Sequence, residues 1–161
     1  MNDMKFALQM EHDGERYYRE QASLIKNKGI RSVCLLLADE EKHHGELLEK
    51  KFGSKLGTLS DTDALAQAKN VFHGLSAIKV DGVEKASQLD FYRIASEKEK
   101  ESIELYTKYL AHAKSDEEKQ LFEFLIRQET HHYEILEAFV AFVKRPEDWV
   151  ENAEFGIRED Y

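Results

Sequence analysis

Two short strings carry residue types that bind metal ions: DEEKHHGELLE over residues 39–49 and RQETHHYEILE over residues 127–137. A glutamate and a histidine three residues apart on a helix lie on one face, one turn apart, so both can reach one ion. Three such pairs occur: Glu40 with His43, Glu41 with His44, and Glu129 with His132. In a chain rich in glutamate the spacing alone is weak evidence. An internal repeat strengthens it. Residues 3–51 laid on 91–139, at an offset of 88, match at 11 of 49 positions. The matches include Glu11 with Glu99, Tyr18 with Tyr106, Glu41 with Glu129, His43 with His131, and His44 with His132. Position 128, equivalent to Glu40, is Gln. The repeat therefore selects Glu41–His44 and Glu129–His132 as the inward pairs. His43 and His131 lie about 100° away on the helical wheel and read as surface or interface residues.

The surroundings of these residues fit that choice. Leu37, Glu41, His44 and Leu48 form one helical stripe, and Leu125, Glu129, His132 and Leu136 form its counterpart. Glu11 lies between Ala7 and Gly14 on a stripe that continues to Tyr18 and Ile25. Glu99 lies between Ala95 and Ser102 on one that ends at Tyr106. Small residues beside a core glutamate leave room for an ion. Converging carboxylates are costly to bury, because each loses its hydration and like charges repel. Their pKa values are expected to rise unless cations neutralise them. Four glutamates and two divalent ions balance, with two neutral imidazoles completing the set. Oxygen-rich ligation with one nitrogen per ion suits iron or manganese, and zinc could also occupy it. The bland alternative is a set of solvated helix-face glutamates.

The elements that must position these residues are helices. Apolar periodicity predicts one over 3–27, broken at Gly29, and a second over 30–52, stopped by Gly53. A third long helix is predicted over 84–114. A fourth covers 116–143, with Ser115 or Asp116 as its N-cap and Glu117 and Glu118 in its first turn. Residues 53–88 read as a long crossover with its own helix over 64–79, capped from Asp61-Thr62-Asp63. Pro146 closes the last helix, and the tail 147–161, with Trp149 and Phe155, reads as a short segment folding back. This is an all-α layout: two helix hairpins joined by one long connection, as in a ferritin-like four-helix bundle. At 161 residues the whole chain, 1–161, reads as one domain.

Composition excludes several classes. The formal net charge of −9 argues against nucleic acid and anionic membranes as partners. The longest apolar runs, at 33–38 and 138–143, are far short of the ~20 residues that span a bilayer. The N-terminal MNDMKFALQM has charges where a signal peptide would have its apolar core, so a cytoplasmic protein is expected. The single cysteine, Cys34, permits no internal disulfide and no four-cysteine metal site in this chain, and its neighbours mark it as a small buried hydrophobe.

These residues resemble the ferritin-like di-iron carboxylate proteins, specifically the rubrerythrin group, over 3–52 and 84–143. The resemblance implies two iron ions per chain. Glu11 and Glu99 would be terminal ligands, Glu41 and Glu129 bridging ligands, and His44 and His132 the nitrogen ligands. It also implies that Tyr18 and Tyr106, seven residues after the terminal glutamates, donate hydrogen bonds to ligand carboxylates; both also read simply as core aromatics. A metal-bound imidazole usually donates its other N–H. Glu40 and Gln128 are placed to accept it from the histidine of the opposite hairpin. Two departures stand out. Typical rubrerythrins carry a second, four-cysteine domain, which this chain lacks. They also carry an extra glutamate three residues after the third-helix ligand, where this chain has Ser102.

The resemblance implies an oxidoreductase that reduces hydrogen peroxide or dioxygen, a role in oxidative stress, an external rubredoxin-like or flavin electron donor, and a homodimer. Two alternatives stay open. One is a ferroxidase or iron-storage protein of the bacterioferritin type, and the other a metal-free helical interaction module.

Overall fold

The computed structural model describes residues 2–53, 59, 61–75 and 82–144. Five helices follow one another: α1 (Asn2–Leu24), α2 (Lys28–Gly53), α3 (Ala64–Gly74), α4 (Gly82–Ala111) and α5 (Asp116–Val143). α1 pairs with α2 and α4 with α5, forming two hairpins. α3, in the crossover, packs on α5 and α2, and α1 approaches α4 only sparsely. This is a ferritin-like helical bundle. Among the described residues no helix is long and apolar enough to cross a membrane. The predicted tail segment, the stop at Pro146, and residues 76–79 of the crossover helix lie outside the described residues.

The helix ends follow local chemistry. α1 stops at Leu24, three residues before its predicted end, where the Ile25 N–H turns to the Ala22 carbonyl at 3.4 Å instead of continuing the i−4 ladder. The Arg31 guanidinium donates to the Ile25 and Lys26 carbonyls at 3.0 and 3.1 Å. The Asn27 side chain accepts the Ile30 N–H at 3.0 Å and so caps α2. Gly29, expected as a break, lies inside the first turn of α2. Its role is close packing: a Cβ there would come within 2.8 Å of Leu75 Cδ1, at the end of α3. Asp63 precedes α3 without a side-chain cap, since its carboxylate accepts from Gln67 one turn on. α5 is capped as expected. Ser115 Oγ accepts the Glu118 N–H at 3.1 Å, and the Glu118 carboxylate accepts the Lys114 N–H at 2.9 Å.

Two apolar clusters fill the bundle. One gathers Tyr18, Ile30, Leu37, Phe91, Leu136 and Phe139, with α3 added through Phe72. The other gathers Ala7, Leu48, Tyr106, Leu121, Phe124 and Leu125. A layer of buried polar residues lies on the same inward stripes: Glu11, Glu41, His44, Glu99, Glu129 and His132.

The Ser115 cap is exposed, so its loss isolates the capping term. Ser115→Ala should cost about 1 kcal/mol. Thermal melting should show this as a fall of about 2–4 °C in Tm.

Candidate metal centre

The inward stripes of α2 and α5 are buried along their length: Leu37, Glu41, His44 and Leu48 on one, Leu125, Glu129, His132 and Leu136 on the other. Ala7, Glu11, Gly14 and Tyr18 of α1 are buried too, as are Ala95, Glu99, Ser102 and Tyr106 of α4. By contrast, the His43 side chain is 51% exposed, and His131 is half-buried.

The structure brings the six predicted residues into two overlapping groups. Glu11, Glu41, His44 and Glu129 each place a ligand atom within 4.8 Å of the others, as do Glu41, Glu99, Glu129 and His132. Glu41 and Glu129 belong to both. His44 Nδ1 lies 3.6, 3.3 and 3.6 Å from oxygens of Glu11, Glu41 and Glu129. His132 Nδ1 lies 3.4 and 3.1 Å from Glu99 and Glu129. The two imidazoles stack, with centroids 5.4 Å apart and planes 14° from parallel.

Two tyrosines cross between the hairpins. Tyr18 Oη donates to Glu99 Oε2, and Tyr106 Oη donates to Glu11 Oε2. Burial, then the adjacent carboxylate, pushes both phenols well above their usual value, so both remain donors. Each bond occupies one oxygen of its glutamate and leaves Oε1 without a partner. The buried polar atoms that lack hydrogen-bond partners include Glu11 Oε1, Glu99 Oε1, Glu41 Oε2, both Glu129 oxygens, and Nδ1 of each histidine. Burying polar atoms unpaired is costly. These residues cluster together and supply the atom types that bind iron, manganese or zinc. The residues fit a metal site.

Charge is shared unevenly within the cluster. Burial, reinforced by Glu11, Glu129 and Glu99, pushes the Glu41 carboxyl well above its usual range. Burial and the charges of Glu11 and Glu99 raise Glu129 to about 7. Burial disfavours charged imidazoles, but the carboxylates around His44 and His132 overcome it and raise both well above the usual histidine value. Glu11 departs from the expected rise. Burial pushes it up, but the charge of His44, 3.6 Å away, with help from the Tyr106 hydrogen bond, outweighs that and holds it down at about 2.

Around the cluster the halves differ. Glu40 Oε1 accepts from His132 Nε2 at 3.0 Å, as its position suggested. Gln128 instead donates its amide to Asp61 Oδ1 at 3.2 Å. Asp61 and Thr62 of the crossover thus reach both positions, Thr62 through the Glu40 carboxylate. Sequence reasoning missed this long-range role because it read the pair only as local helix caps. A groove of about 620 Å³ between α1 and α4 reaches Glu41 past Met10, Gly14, Ser102 and Leu105. The Ser102 hydroxyl turns back to its own helix, donating to the Lys98 carbonyl at 3.1 Å, with Met10 Sδ 3.6 Å away.

The family model that matches the chain is described as Rubrerythrin and covers residues 3–140. No curated protein and no solved structure matches the chain.

The raised groups hold protons in the fold that they would release on unfolding. Their contribution is present below their unfolded values and is lost as pH rises through their folded ones. For Glu129 that window runs from 4.5 to about 7. Glu11 acts oppositely: it contributes above 4.5 and loses its contribution as pH falls towards about 2. Protein stripped of metal should therefore melt at falling temperature from about pH 5 to about pH 8. Added Mn²⁺ displaces those protons and should abolish the decline. Melting curves with and without the ion check this.

Gly14 gives a separate test. A Cβ there would lie 2.9 Å from Glu41 Oε1, so the carboxylate must give way. Gly14→Ala gains about 1 kcal/mol of helix propensity. The metal-free variant should melt no lower than the parent, yet bind Mn²⁺ more weakly by calorimetric titration.

Proposed function

The chain belongs to the rubrerythrin family, and on that premise we propose that it is an oxidoreductase reducing hydrogen peroxide or dioxygen at a dinuclear iron centre. The observation that carries this reading is the pair of residue quartets sharing Glu41 and Glu129, with their unpartnered atoms turned to one place. Glu11, Glu41, Glu129 and His44 would hold one ion, and Glu99, Glu41, Glu129 and His132 the other. Iron bound there supplies two electrons together and a Lewis acid for both oxygens of the oxidant.

The protein's own residues prepare the site. Tyr18 and Tyr106 fix the outer oxygens of Glu99 and Glu11, so each of these glutamates presents one oxygen inward. The flanking apolar clusters keep bulk water out along the bundle axis. The groove between α1 and α4 gives a small oxidant a way to the Glu41 edge, through the gap left by Gly14 and Ser102. Reduction of one peroxide to two waters consumes two electrons and two protons. The chain has one cysteine, so four-cysteine iron chemistry cannot form within it. A separate rubredoxin-like or flavin protein would return the electrons. A cytoplasmic homodimer suits this role.

The test is anaerobic loading with ferrous iron, followed by rapid mixing with oxidant. Two ions should bind per chain. Their oxidation by peroxide or by dioxygen should be reversible by added reductant. His43→Ala and His131→Ala should keep both ions. A single bound ion would sink the dinuclear reading. Iron oxidised and accumulated well beyond two per chain would favour the ferroxidase or storage reading.

A further inference from the structure

The ligand set is symmetric under the 88-residue repeat: Glu11 with Glu99, Glu41 with Glu129, His44 with His132, and Tyr18 with Tyr106. Positions 40 and 128 break that symmetry. Both are buried and immediately precede a shared glutamate, but one is a carboxylate and the other an amide. Glu40 Oε1 lies 3.0 Å from His132 Nε2, on the far side of the ring from the Nδ1 that faces Glu99 and Glu129. Gln128 is occupied elsewhere, donating to Asp61, which also pairs with Arg127 at 3.3 Å.

From this contrast we infer that the two ion positions are unequal, and that Glu40 makes the position served by His132 the tighter one. The inference rests on the dinuclear reading above. A carboxylate accepting the Nε2 proton fixes the imidazole's orientation and makes Nδ1 a stronger electron-pair donor. It also adds a negative charge close to a cation. A Glu40 oxygen and one nitrogen of each histidine lie within 4.8 Å of one another, so that charge favours both ions. The hydrogen bond adds its effect on the His132 side. Glu40 is a positioning residue here, acting through His132.

The experiment titrates the full metal-free chain with Co²⁺, following heat and the visible cobalt spectrum. Wild type should bind in two separable steps. The tight step should be lost in His132→Ala and kept in His44→Ala. Glu40→Gln preserves shape and should weaken the tight step by about 10–100-fold, drawing the two steps together. A metal-free melting temperature near the parent's would show that this variant is folded. A tight step that survives His132→Ala but not His44→Ala would overturn the inference. So would a Glu40→Gln titration that matches wild type, or one that weakens both steps equally, as a purely structural role would. Wild type that binds no cobalt would overturn the dinuclear reading, and this inference with it.

Discussion

Four carboxylates inside one apolar bundle form the constraint on which the rest of the structure depends. Two like charges about 4 Å apart repel by about 4 kcal/mol even at an effective dielectric constant near 20. The fold answers this locally. Each shared glutamate sits beside an imidazole, and each unshared one takes a tyrosine hydrogen bond from the other hairpin. Burial and the neighbouring carboxylates raise the pKa values of Glu41 and Glu129, and the carboxylates raise those of His44 and His132 against burial. These four groups therefore favour holding protons, and those are the places where cations would take over. Apolar clusters along the bundle supply the stability that such a layer cannot.

Symmetry governs the contacts inside the layer, and departures from symmetry govern its edges. Gly14 and Ser102 occupy equivalent positions. Gly14 is pressed against Glu41, while Ser102 ties its hydroxyl back into α4. Both lack bulk, and together they leave the groove between α1 and α4 open. On the opposite side, the crossover lays Asp61 and Thr62 against the two residues that precede the shared glutamates. One edge of the layer is thus left thin, and the other is braced.

Much of this was legible in the sequence, for identifiable reasons. A constant offset of 88 singled out Glu41 over Glu40, because Gln128 broke the competing match. The Ser115 cap was readable because its partner lies three residues away. Gly29 was misread because a glycine that ends a helix and one that admits a neighbour look alike without the neighbour, here Leu75. Asp61 and Thr62 gave no sign of reaching residues 128 and 40, since nothing local encodes a contact over that separation. The depressed Glu11 carboxyl was equally hidden. Its sign depends on where His44 Nδ1 sits, 3.6 Å away, and not on how many acids share the core.

The crossed tyrosines have a consequence for how the molecule assembles. Tyr18 secures a glutamate of the second half and Tyr106 secures one of the first. Neither hairpin can complete its own polar face, and each supplies what the other lacks. Contacts of this reciprocal kind are those that two identical subunits make across a twofold axis. The chain is in this respect a dimer written on one strand. Its crossover acts as a tether, replacing a bimolecular encounter with an intramolecular one whose effective concentration depends on linker length and stiffness. Docking of the halves, and not the formation of either hairpin, is therefore the step that creates the buried charge.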